Sequence, residues 1–84
     1  MTTAFDTVPV MINNDTVELV QCKHMLMQRE GDINFADVTV SNGLRASIID
    51  AQLEHIMEFP SSPVNKEIVI RMAAQLMAWI EAIG

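Results

Sequence analysis

The chain has 84 residues, half of them hydrophobic, with five Lys or Arg against eleven Asp or Glu and a formal charge of −6. This length fits one small domain with a modest core, and the charge argues against direct contact with nucleic-acid phosphates or an anionic membrane, both of which need basic patches. A single cysteine, Cys22, excludes an internal disulfide, and no basic-then-apolar leader opens the chain, so the expected compartment is the cytoplasm.

The first four residues read as a frayed tail. Phe5, Val8, Val10 and Ile12 fit a short strand loosely, and Pro9 restricts it to an edge because it cannot donate to a ladder. Residues 1–14 are therefore expected to form a partly extended or mobile arm. In "DTVELVQCKHMLMQREGD", Asp15 followed by Glu18 reads as a capping box, and Gly31 stands where a helix C-cap belongs. The expected helix runs over 16–30. Its apolar residues scatter, however. Leu19, Cys22 and Leu26 share a face that Val17, Val20, Met25 and Met27 do not, so an extended strand is the alternative.

In "INFADVTV" the residues Ile33, Phe35, Val38 and Val40 favour a second short strand, bulged at Ala36-Asp37 where the alternation slips, and "SNG" reads as a turn. "LRASIIDAQLEHIMEF" has helical periodicity and stops at Pro60. Ala46, Ile49, Leu53, Ile56 and Met57 form its apolar band, while Asp50, Glu54 and Glu58 recur every four residues on the opposite side. Ser62 as N-cap and Pro63 as first residue predict a last helix reaching Ile83, with Glu67 and Arg71 as an ion pair one turn apart.

The large apolar side chains of this last helix cover an arc of roughly 200°, about twice what one domain face requires. The remaining strip holds Glu67, Arg71, Gln75 and Glu81 interleaved with Ala74, Ala78 and Ala82, and reads as the wet side, with the alanines as good helix formers. Arg71, Gln75 and Glu81 also interrupt the run too often for a membrane span. Excess apolar surface on a short chain points to a second subunit, a dimer or higher, with Met72, Leu76, Trp79, Ile80 and Ile83 as the self-association residues. The expected architecture is mainly α (α+β): three helices, the last one long, with one or two short strands in the N-terminal half. The alternative is all-α, with 1–14 and 32–43 as extended loops.

Catalytic signatures are missing. His24 and His55 lie in different elements. The His55/Glu58 spacing lacks the further ligands a metal site needs, and Cys22 with His24 lacks a third, orienting group. Cys22 reads as a small buried hydrophobe and His55 as a helix-surface residue. No glycine-rich phosphate loop and no basic recognition helix occurs, so neither a cofactor nor direct DNA binding is expected.

Asp50, Glu54 and Glu58 remain as candidate partner-facing charges, able to meet an Arg/Lys-rich protein surface. In size, acidity, lack of catalytic residues and the wide apolar faces of "LRASIIDAQLEHIMEF" and "SPVNKEIVIRMAAQLMAWIEAIG", the chain resembles the small antirepressors and related inhibitors encoded by temperate bacteriophages. That resemblance implies capture of a DNA-binding repressor. A structural or chaperone-like subunit, holding a partner's segment on a Met-rich face, is the alternative.

Overall fold

The computed structural model describes residues 11–83, and these form three helices: α1 (Asn14–Arg29), α2 (Asn42–Glu58) and α3 (Asn65–Ile83). No strand occurs among the described residues. The architecture there is all-α rather than α+β. Most of the expected N-terminal strand lies outside the described residues, as does most of the expected arm. Met11 and Ile12, within them, are exposed and irregular.

α1 starts one turn boundary earlier than its capping box suggests. Asn13, not Asp15, is the N-cap: its side-chain oxygen accepts from the Asp15 N–H at 2.7 Å, which leaves Asp15 in the first turn beside the positive end of the helix. The far end closes as a Schellman motif. Gly31, at φ +80°, donates to the Gln28 carbonyl at 3.2 Å, and Asp32 to the Met27 carbonyl at 3.0 Å.

The stretch expected as a second strand is a pair of consecutive turns. Asn34 Oδ1 accepts from the Ala36 N–H at 3.0 Å, and Asp37 Oδ1 accepts from the Thr39 N–H at 2.9 Å. Backbone bonds from Asp37 to Asn34 and from Val40 to Asp37 close the two turns. These short polar side chains satisfy the local N–H groups that a ladder would need, and no neighbouring strand competes for them. Phe35, 1% exposed and the most deeply buried large side chain, pins the segment to the helices.

Ser41 caps α2 by accepting from the Leu44 N–H at 3.1 Å, so Asn42 and Gly43 belong to the first helical turn instead of preceding it. α3 begins at Asn65, after a turn in which Asn65 Nδ2 donates to the Phe59 carbonyl at 2.7 Å. Ser62 and Pro63 sit in that turn rather than at the cap and first helical position. Asn65 lies near the end of α2, and Trp79, near the end of α3, reaches back to Asn42 at the start of α2. α2 and α3 are thus an antiparallel hairpin.

α1 lies across α3. One flank of α1, with Leu19, Lys23 and Leu26, meets Glu67 and Ile70, while the other, with Gln21 and Met25, meets Met77 and Glu81 further along. Val20, Met27, Ile70 and Ala74 form the core at the crossing. Lys23 pairs with Glu67 at 2.8 Å, and Arg71 pairs with Asp32 below α1. The expected pair within α3, Glu67 with Arg71, is replaced by these two tertiary pairs. Lys23 donates a hydrogen bond to Glu67, and with its charge holds the Glu67 carboxyl below its ordinary pKa.

Candidate interaction surface

The packing of α3 inverts the sequence expectation. Ala74 (2% exposed), Gln75 and Ala78, from the middle of the strip that reads as the wet side, are buried, while Glu67 and Glu81 at its ends stay exposed. The alanines lack side chains beyond Cβ, so α1 crosses close to the α3 backbone there. Gln75 Oε1 accepts from Gln52 Nε2 at 2.6 Å across the hairpin, which satisfies a buried amide. Val69, Leu76, Ile80 (67% exposed) and Ile83 (76% exposed) stay outside. With the half-buried Ala73 they are spaced four, three, four and three residues apart, a seam of the kind helices use to pack on one another.

The five expected self-association residues accordingly divide. Leu76, Ile80 and Ile83 lie on the exposed seam, whereas Met72 is buried and Trp79 is occupied within the chain. The Trp79 ring packs edge-on against Phe35, with centroids 6.2 Å apart, and its Nε1 donates to Asn42 Oδ1 at 3.1 Å. The Arg45 guanidinium stands 5.7 Å from the Trp79 ring centre and donates to the carbonyls of Phe35 and Asp37. Arg45 is itself buried, and sequence reasoning gave it no role. Its signal is faint: an arginine in the first turn of a helix, after a segment whose turns leave the Phe35 carbonyl open.

α2 also turns an unexpected face inward. Arg45, Ile48, Gln52 and His55 are buried or half-buried, while Ala46, Leu53 and Met57 of the apolar band are exposed, Met57 at 79%. Ile49 and Ile56 of that band are half-buried, like Ile48, Gln52 and His55. His55 is therefore half-buried rather than fully on the surface. Its ring tilts against Phe59, 5.1 Å between centroids, and its Nε2 is buried without a partner. Cys22 is exposed rather than buried. His24 is half-buried beside the α1–α3 crossing.

Asp50, Glu54 and Glu58 are all exposed and belong to neither ion pair of the described residues. The basic side chains are largely used internally: Lys23 and Arg71 in the ion pairs, Arg45 in the interior. Arg29 and Lys66 are the two left without an acidic partner among the described residues, so the surface is more acidic than the composition conveys.

Two open clefts flank the helices. One, of about 340 Å³, lies between α1 and α3 and has Val20, Met25, Ala74 and Met77 in its walls. The other, of about 400 Å³, lies between α2 and α3, bordered by Ile48, Ala51, Arg71 and the turn at Ile33. No cluster of three His, Cys, Asp or Glu able to hold a metal ion exists among the described residues. None of the described helices is long and apolar enough to cross a membrane. No protein-family model, curated protein or solved structure matches the chain.

Proposed function

We propose that this protein is a small, self-associating interaction module that binds a larger basic protein and inhibits it, most concretely an antirepressor that captures a DNA-binding repressor. The observation that carries this reading is the exposed acidic row Asp50, Glu54 and Glu58 on a molecule whose basic side chains are mostly consumed internally. A surface of that sign steers and orients a basic partner, and a repressor's DNA-contacting face is the basic surface whose masking would release an operator.

The test is an operator gel shift with each DNA-binding regulator encoded near this gene. The expected result is a complex of the two proteins that no longer shifts DNA, weakened by salt and by the triple change Asp50→Lys, Glu54→Lys, Glu58→Lys. If every such regulator keeps its full DNA affinity, the antirepressor reading is wrong.

The cleft between α1 and α3 favours a second reading, a subunit of a larger assembly. Met25 and Met77 stand at its edges, and flexible thioethers adapt to a partner's segment. A subunit of this kind aggregates when expressed without its partner and is rescued by co-expression.

A further inference from the structure

The two exposed apolar faces lie on one side of the α2–α3 hairpin. The cleft bordered by Ala51 and Arg71, and roofed by residues 32–35, marks the opposite side. Going round α2 at about 100° per residue, one passes from Ala51 through the packed Gln52 to Ile49 and Leu53. On α3 the same path leads from Arg71 through Gln75 and Met72 to Leu76 and Val69. The helices are antiparallel, so both paths leave the cleft side and emerge together on the other. α1 meets α3 through Ile70, Ala74 and Ala78, about 100° or more from the middle of the seam at Val69, with only Ala73 at the seam's edge packed against that core. One side of the hairpin is therefore covered by α1 and the turns, and among the described residues nothing covers the other side.

The bare side has the composition of a helix-bundle interior. Its seam on α3 is Val69, Ala73, Leu76, Ile80 and Ile83, and its band on α2 runs from Ala46 to Met57 with Leu53 at the centre. None of these positions is charged, so covering them desolvates no ion. Asp50 borders this band, about 20° from Met57 round α2, with Glu54 and Glu58 further out, so in a pairing of two copies the acidic row lies at the rim of the contact rather than in its core.

Size decides how much of this side is needed. The seam is about 21 Å long and the band about 17 Å, each roughly one helix wide, or about 10 Å. Side by side they offer each copy a footprint of about 400 Å² in projection, before the relief of the side chains is counted. A specific interface buries about 1,000 Å² over both partners. Seam and band together come to about 800 Å² over two copies in projection and approach this once side-chain relief is added, whereas α3 alone supplies about half of that and falls well short.

We propose that a second copy of this chain covers the bare side of the α2–α3 hairpin, hairpin against hairpin, closing a four-helix core with α1 and the acidic rows outside. This rests on the self-association part of the reading above and adds where the contact lies and that α2 shares in it. The dimer adds a second core to the one at the α1–α3 crossing and leaves Glu54 and Glu58 free for a different protein.

The experiment is light scattering on the purified full chain at about 100 µM, with circular dichroism as a check on folding. The wild type is expected at twice the chain mass of 9.4 kDa. Ile80→Glu and Leu53→Glu, on different helices of the same side, are each expected to shift the mass to that of one chain with helicity retained. Leu26→Glu, exposed on α1 away from this side, is expected to leave the dimer intact. A wild-type mass of one chain overturns both the self-association reading and this interface. A dimer that survives Ile80→Glu and Leu53→Glu overturns the interface alone. If either variant loses its helicity, Ile83→Glu in the last turn is the deciding variant. A dimer that survives this change refutes the hairpin interface.

Discussion

Arg45 ties three separate parts of the chain together, so its loss should cost more than that of any other charged residue. Its guanidinium donates to the Phe35 and Asp37 carbonyls at 3.1 and 2.6 Å and to Asn42 at 2.8 Å, over the ring of Trp79. Arg45→Ala strands the buried Phe35 carbonyl, at about 1–3 kcal/mol, and also removes the charged bonds to Asn42 and to the Asp37 carbonyl, which keeps the Val40 N–H. A destabilisation of about 3 kcal/mol in urea unfolding is expected, followed by Trp79 fluorescence. Arg45→Lys should recover little of it, because one ammonium cannot reproduce the planar fork. Gly31 is a milder case. A Cβ there meets nothing within 4 Å, so Gly31→Ala costs only the left-handed backbone conformation, about 1 kcal/mol in the same assay.

At the scale of elements, the α1–α3 crossing depends on small residues and on one ion pair. Ala78→Leu forces α1 away from α3 and should destabilise by about 1–3 kcal/mol, whereas the same exchange at Ala82, away from the crossing, should be tolerated better. The Lys23–Glu67 pair adds a pH dependence. The Glu67 carboxyl has a lower pKa folded than unfolded. Its contribution is therefore complete above the unfolded glutamate range, near 4.3, and fades as the pH falls through the folded value. Glu67→Gln should be less stable than the wild type at neutral pH, and the two unfolding curves should converge in acid below the folded pKa. A constant gap over that whole interval would mean that the pair contributes nothing through its charge.

At the scale of the molecule, the proposed pairing of two copies would tie stability to concentration. Covering a Val, Leu or Ile fully is worth about 1.5–3 kcal/mol. The half- to three-quarters-exposed seam residues therefore hold roughly 1–2 kcal/mol each in reserve. Association costs upward of about 4 kcal/mol in lost freedom, which several such residues from two copies can offset. The melting temperature should rise with protein concentration in the wild type and become independent of it in Ile80→Glu. This thermal scan does not depend on knowing any partner.

Much of the helical framework is legible in the residues themselves. Gly31 after α1, Pro60 after α2 and the periodicity of α3 act through local backbone chemistry, which a neighbour cannot easily override. Ile33, Phe35, Val38 and Val40 misled because β-formers need a partner strand, and Asn34 and Asp37 offered their backbone a closer alternative. The width of the apolar arc on α3 was likewise set by composition and spacing alone. Which part of it faces inward was not, because a helical wheel ranks faces by hydrophobicity whereas packing selects them by fit. Ala74 and Ala78 won the inside by letting α1 approach, Gln75 by meeting Gln52, and Trp79 by stacking with Phe35 and Arg45. The sequence by itself determined that this protein carries more apolar surface than one small chain can cover. The tertiary structure decided where that surface lies, because contacts between distant residues assign each face its neighbour.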